Sequence, residues 1–259
     1  MKDLEKLRDD LLNGHEIYLR NVSIDNVILG YHKKQLKVLL QRPRGVSKWT
    51  VSGGYIKRTE TIEEAATRIA KERTGLENLY LKQFKAFGNP VRTKDAALSV
   101  KLLEDIAGIE IDASNWMFDY FVSLGFYTLT EFDNVNPTGE FNTEECQWWD
   151  IFGLPDLLFD HKVIIEEALK SMRLDIYHYP IGYELLPDKF TLPEITSLYE
   201  TILGKELDNR NFSKKLLATG VIDKLNERKY IGPHRSPFLY VFKKLRYKEA
   251  LKNGLVLAI

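Results

Sequence analysis

Apolar positions along this chain repeat with two periods, and the switches between them outline its elements. Leu4, Leu7, Leu11 and Leu12 fall at helical spacing over 2–13, with Gly14 as the expected stop. Segments 22–29 and 36–41 read as strands joined by the polar turn 31–35, a hairpin signal. Residues 49–54 lead into a well-specified helix over 62–74. Thr61 and Glu64 make its capping box, Ile62, Ala65, Ala66, Ile69 and Ala70 its apolar stripe, and Gly75 its C-cap. Strands are expected at 79–87 and 119–130, the second rich in aromatic residues, with 95–107 partly helical between them. A short apolar strand at 146–151 and a helix at 161–172 complete this half.

Near 175–187 tyrosines and prolines replace periodicity, which predicts a domain boundary. Beyond it, Thr191-Leu192-Pro193-Glu194 is a capping box with proline in the first turn, opening a helix that ends near Gly204. Asp208 and Gly220 bound a second helix over 209–219. Phe212, Leu216 and Leu217 would face inward, and Arg210, Ser213, Lys214 and Lys215 outward. Segments 221–225 and 238–242 alternate as strands around a basic tip, 226–237. Helix, turn, helix and β-hairpin is the order of a winged helix-turn-helix, whose second helix enters the major groove. A small αβ cap with solvated lysines is the other reading of the same pattern.

Composition changes the picture in three places. At 259 residues, 44% apolar and 12% aromatic, the chain can fill two domain cores. A single cysteine, Cys146, excludes an intramolecular disulfide, and the five scattered histidines show no zinc spacing. The charged N-terminus is unlike a signal peptide, and no apolar run approaches the ~20 residues of a membrane span, so a cytoplasmic protein without membrane partners is expected. The net charge is zero, yet residues 205–248 carry 12 Lys and Arg against 4 Asp and Glu. That asymmetry points to nucleic acid or, more blandly, to a solvated basic face.

Candidate chemistry sits between Gly54 and Leu76, GYIKRTETIEEAATRIAKERTGL. Its spacing resembles the Nudix box: glycine, five residues, glutamate, seven residues, then Arg-Glu-aliphatic-x-Glu-Glu-x-Gly-aliphatic. Gly54, Glu60, Arg68, Glu72, Gly75 and Leu76 fall in register; Ile69 and Arg73 stand where carboxylates belong. In the family the helix carboxylates share one face and hold Mg²⁺ against a diphosphate. Here Glu72 stands alone beside a cation. The expectation is a kept fold and a lost hydrolysis: no catalytic residues, no metal, no cofactor, and a vestigial box in Gly54, Glu60, Arg68 and Glu72. Glu60 and Arg68 read either as a structural ion pair or as ligand contacts, and Ile69 also reads as an extension of the core face.

The resemblance widens when both halves are taken together. FTLPEITSLYETILGKELDNRNFSKKLLATG, with KWTVSGGYI (48–56), FGNPVR (87–92), LPDLLFDH (154–161) and LLPDKFTL (185–192), is similar to the Nudix-related transcriptional regulators of bacteria, the family of the NAD-metabolism and arabinose-utilisation repressors of NrtR and AraR type. It covers most of 19–245. It implies an α+β protein: an N-terminal helix (1–18), a Nudix-like α/β/α sandwich with a mixed sheet as ligand sensor (19–174), and a winged helix-turn-helix (175–259). It further implies a homodimer on a palindromic double-stranded DNA operator, controlled by a pentose sugar or an ADP-ribose-like nucleotide. Candidate DNA contacts are Arg210, Asn211, Ser213, Lys214, Lys215, Arg228, Lys229 and Arg235. Candidate ligand contacts are Arg42 and Arg44, for their planar donor forks, with Trp49, Gly53, Gly54 and Arg92; Trp49 also reads as core. Two departures concern the sensor: about twenty inserted residues over 93–117, placed to line or cover the pocket, and Ser52 where proline is usual. The rival reading is an active Nudix hydrolase of nucleoside diphosphate derivatives, which would need Glu60 and Glu72 joined by Glu144 or Glu145 to rebuild a Mg²⁺ site.

Overall fold

The computed structural model describes residues 2–75, 79–94, 98–112, 114–135, 143–230 and 236–257. Helix α1 (Lys2–Ile17) runs through Gly14 and directly into strand β1 (Tyr18–His32). Gly14 is therefore no stop. A Cβ there would lie 2.4 Å from the Trp116 ring, so the glycine makes room for that indole. Strand β2 (Gln35–Pro43) follows after a turn of two residues rather than five. Lys33 and Lys34 both take positive φ, 48° and 61°, the handedness a two-residue hairpin needs to match strand twist.

Strand β3 (Ser52–Lys57), helix α2 (Ile62–Thr74), β4 (Tyr80–Phe87), α3 (Val100–Ala107), β5 (Val122–Glu131), β6 (Thr143–Asp150) and α4 (His161–Asp175) follow. The sheet order is β4-β5-β1-β2-β6, with β3 also paired to β1. β5 begins three residues later than expected, after a 3₁₀ turn at Trp116–Phe118. β6 starts earlier than expected, and no residue in it is fully buried, so it is not an apolar strand. The capping box of Thr61 and Glu64 is present and Gly75 closes α2 at φ 71°. Ala65, Ala66 and Ile69 pack with Ile24, Ile56 and Phe126, while Ile62 stays 37% exposed at the helix start.

The inserted segment folds onto α1. Leu103, Ala107 and Ile111 pack against Leu7 and Leu11. Arg8 Nε donates to the Ala107 carbonyl (2.6 Å), Asn115 Nδ2 to that of Leu11 (2.7 Å), and Trp116 Nε1 to that of Asp10 (3.1 Å). The helix expected to begin at 95 begins at Val100, with Ser99 as its cap; residues 95–97 lie outside the described ones.

By internal contacts the chain divides into residues 1–30 with 37–168, and 31–36 with 169–259. The second unit holds β7 (Phe190–Thr191), α5 (Leu192–Leu203), α6 (Asn209–Ala218), β8 (Ile222–Arg228), β9 (Phe238–Phe242) and α7 (Lys244–Asn253), with sheet order β7-β9-β8. Thr191 and Glu194 form the expected capping box, and Gly204 ends α5 at φ 67°. Helix α7 was not legible in the periodicity, because Tyr247 is the one residue it buries among those described. No described helix is long and apolar enough to cross a membrane.

Candidate ligand cavity and nucleic-acid interface

The first unit holds a partly open cavity of about 340 Å³, within the usual range for small-molecule sites. Its wall draws on α1 (Lys6, Leu7, Asp10), β1 (Tyr18, Asp25), β3 (Gly53, Gly54, Tyr55), α2 (Arg68, Glu72) and the segment before α4 (Leu158, Phe159). The insertion contributes Thr93, Leu98, Leu103 and Met117. Of the predicted ligand contacts, Gly53, Gly54 and Arg92 line this space; Arg42, Arg44 and Trp49 are not among its lining residues. The Arg42 guanidinium is occupied by Glu144 (2.7 Å) and Glu145 (2.5 Å). Trp49 is 7% exposed and packs edge-on against Trp149, as a core residue does.

The Nudix-box residues are arranged for structure. Arg68 holds Glu60 through two bonds (3.0 and 2.7 Å), donates to the Tyr55 carbonyl (2.9 Å) and stands 3.5 Å from Glu72. The Arg68 hydrogen bond holds the Glu60 carboxyl below its ordinary range. Ile69 is buried, and its Cδ1 lies 2.8 Å from where a Gly54 Cβ would be, so the glycine and the isoleucine are fitted to one another. Arg73 is 2% exposed, and burial pulls its pKa down to about 10, which still leaves it charged at neutral pH. Mg²⁺ asks for about six oxygen ligands in octahedral geometry. Glu72 alone, with Glu60 committed to Arg68 and a buried cation one residue on, does not meet that demand. The acids of the rival reading, Glu144 and Glu145, are tied to Arg42. Among the described residues no three His, Cys, Asp or Glu gather as a metal site.

Sequence reasoning missed the polar network on another wall. Arg92 donates to Asp25 Oδ2 (2.9 Å) and to both oxygens of Asp160 (2.9 and 2.8 Å), with only 3% of its side chain exposed. Burial would lower its pKa, but Asp25 and Asp160 outweigh that and raise it. His161 Nδ1 accepts from the Val51 amide (3.3 Å), and Nε2 lies 3.7 Å from Asp25 Oδ1. Burial holds His161 below its usual pKa, so it stays neutral at pH 7. One signal was available: Asp25 interrupts the apolar run of β1. Asp10 was missed as well. It accepts from the Tyr18 hydroxyl (3.2 Å), its pKa is raised by burial, and Tyr18 is pushed up to about 12 by its own burial and by Asp10. Phe159, also on the wall, takes φ 54°, a strained conformation for an aromatic residue.

In the second unit, Asp208 caps α6 by accepting from the Asn211 amide (2.6 Å). Phe212 and Leu216 are buried, Phe212 against Tyr199 at 4.9 Å. Leu217, expected inside, is 40% exposed. Arg210, Asn211 and Lys214 are exposed; Ser213 and Lys215 are half-buried. In the hairpin, Arg228 donates to the Ser236 carbonyl (2.7 Å) and lies 3.7 Å from the Phe238 ring, which also carries Lys224 at 3.5 Å. Lys229 is ion-paired with Glu194. Arg235 lies outside the described residues.

Comparison with known proteins bears on both units. The NUDIX domain family model matches residues 19–164, and that of the NrtR DNA-binding winged helix domain matches 182–242. The chain is 25% identical over 228 residues to the ADPR responsive transcriptional repressor NtrR of Acinetobacter baylyi, covering 85% of this chain and 81% of that one. It is 26% identical over 174 residues to the ADP-ribose pyrophosphatase of Methanocaldococcus jannaschii, covering 65% of this chain and 84% of that protein. The crystal structure of Shewanella oneidensis NrtR complexed with a 27mer DNA shares its fold, with TM-score 0.68 at 23% identity over 88% of this chain and 96% of that one.

Proposed function

The chain belongs to the NUDIX domain family and joins that domain to an NrtR-type DNA-binding winged helix; from that premise we propose a metabolite-responsive transcriptional repressor whose Nudix domain binds without hydrolysing. The observation that carries this reading is the orientation of α2. Ile69 and Arg73 are turned into the core, so the helix face that would hold Mg²⁺ offers Glu72 alone. Without the metal, the site lacks the divalent charge that would offset what develops at phosphorus during pyrophosphate cleavage.

ADP-ribose is named for both similar proteins, a repressor and a hydrolase, which supports an ADP-ribose-like effector here. The cavity's charges favour a second reading, a free pentose. Asp10, Asp25 and Glu72 line it with Glu60 and Asp160 bonded behind, against the cations Lys6, Arg68 and Arg92. Carboxylates are good acceptors for sugar hydroxyls and repel a diphosphate that arrives without a metal.

The test has two arms. Turnover of ADP-ribose in Mg²⁺ or Mn²⁺ should be absent; a rate near an ordinary enzyme's ~10 s⁻¹, abolished by Glu72→Gln, would restore the hydrolase. Calorimetry with ADP-ribose, ribose and arabinose in chelator then identifies the effector class. The ligand that binds should also shift affinity for DNA upstream of the gene, and by linkage the DNA should shift ligand affinity equally.

A further inference from the structure

We propose that α7 is a second DNA-contacting element, a lysine stripe that grips the phosphate backbone beyond the winged helix proper. The inference rests on the DNA-binding reading and extends it past residue 242, where the winged-helix match ends. Lys244, Lys248 and Lys252 recur every fourth residue of α7 and so share one face. All three are exposed. Neighbouring cations are engaged, Lys243 with Asp223 (2.9 Å) and Arg246 with Glu249 (3.0 Å); among the described residues no carboxylate pairs with the stripe.

A ten-residue helix of this composition would be marginal alone. It is instead pinned at both ends. Tyr247 is 3% exposed, donates to Glu184 Oε2 (2.5 Å), stacks on Tyr183 at 4.6 Å and meets Phe242 of β9 edge-on at 5.8 Å. Past Gly254, the amides of Leu255 and Leu257 donate to the carbonyls of His178 (2.8 Å) and Tyr177 (2.9 Å). A single aromatic anchor and a pinned tail hold a helix that contributes little else to the core. What that anchoring does is fix the backbone that carries the three lysines, so no ordering of the helix itself is needed when they meet a polyanion. At 1.5 Å per residue the stripe rises about 12 Å. Phosphates of one DNA strand recur every ~3.4 Å along the axis, so it spans about three or four of them. Its charge adds to a unit already rich in lysine and arginine.

The experiment uses the full chain and a non-specific duplex of about 30 base pairs, with affinity measured by anisotropy from about 50 to 200 mM salt. Lys244→Gln/Lys248→Gln/Lys252→Gln is compared with the parent and with Lys101→Gln/Lys162→Gln, two exposed lysines of the first unit. The triple variant should flatten the slope of log K against log salt by about 2–3, near 0.9 per lost phosphate contact. It should also bind at least about tenfold more weakly at low salt, while the control keeps the parent slope. Circular dichroism should show both variants folded. If the parent binds and the triple variant keeps its slope, the stripe is a solvated face and this inference falls alone. If the parent shows no salt-dependent duplex binding, the DNA-binding reading falls with it.

Discussion

At the scale of single residues, Ile69 offers a test of the proposal that this domain does not hydrolyse. It is 1% exposed and packs with Ile24, Ile56 and Phe126. Ile69→Glu would restore one of the two missing carboxylates by letter and bury it among the apolar side chains of this cluster. We expect a stability loss of about 3–5 kcal/mol by urea unfolding and no Mg²⁺-dependent turnover; a variant as stable as the parent that cleaves ADP-ribose would refute the account of α2. His161 makes a second expectation concrete. Its folded pKa lies below the ordinary 6.5, held there by burial. Between those two values the unfolded chain binds a proton that the folded chain does not. Its contribution to stability is therefore full above pH 6.5 and is lost as pH falls through the folded value. The slope is at most about 1.4 kcal/mol per pH unit. Unfolding curves from pH 7 to 5 should show this decline, and His161→Gln should flatten it; equal slopes in the two proteins would count against a buried neutral imidazole.

At the scale of elements, α6 and the wing should fail in different ways. Arg210 is exposed on the capped second helix, where a side chain can reach base edges, so Arg210→Ala should cost about 1–3 kcal/mol on specific DNA and blur one base position. Arg228, braced by Phe238 and the Ser236 carbonyl, is suited to phosphate; Arg228→Ala should weaken all duplexes alike and lower the salt slope by about one. Titrations on specific and scrambled duplexes at several salt concentrations separate the two, and identical losses on both would remove the distinction. These elements were legible because their ends are marked by local chemistry: Thr61 with Glu64, Thr191 with Glu194, Asp208 before Asn209. The cavity was not legible in the same way. Asp10, Asp25 and the adjacent pair Asp160 and His161 are far apart in sequence and meet only through sheet pairing and the packing of the insertion on α1. Arg42 shows the converse error, since its planar fork suggested a ligand while the strand pairing of β2 with β6 sets Glu145 opposite it.

At the scale of the whole molecule, the remaining expectation is a homodimer. A single DNA-binding module buries only about 600–1,000 Å² of protein surface, and of the side chains expected on the groove side of α6 only Arg210, Asn211 and Lys214 are exposed. Such a module alone reads too few base pairs to stand out against non-specific DNA, where lysine and arginine supply most of the binding. A two-fold assembly doubles the contacts and turns half-site spacing into a further constraint, about one helical turn or a multiple of it between half-site centres. Among the exposed apolar side chains of the first unit, Phe152 at 66% and Val163 at 49% are of the kind a second copy would cover. Sedimentation at micromolar concentration should give about twice the 30.1 kDa of the chain. Phe152→Asp with Val163→Asp should shift it towards the monomer if these side chains are covered in the dimer. A protein that stays monomeric and still binds one specific duplex tightly would show that recognition here needs no two-fold partner.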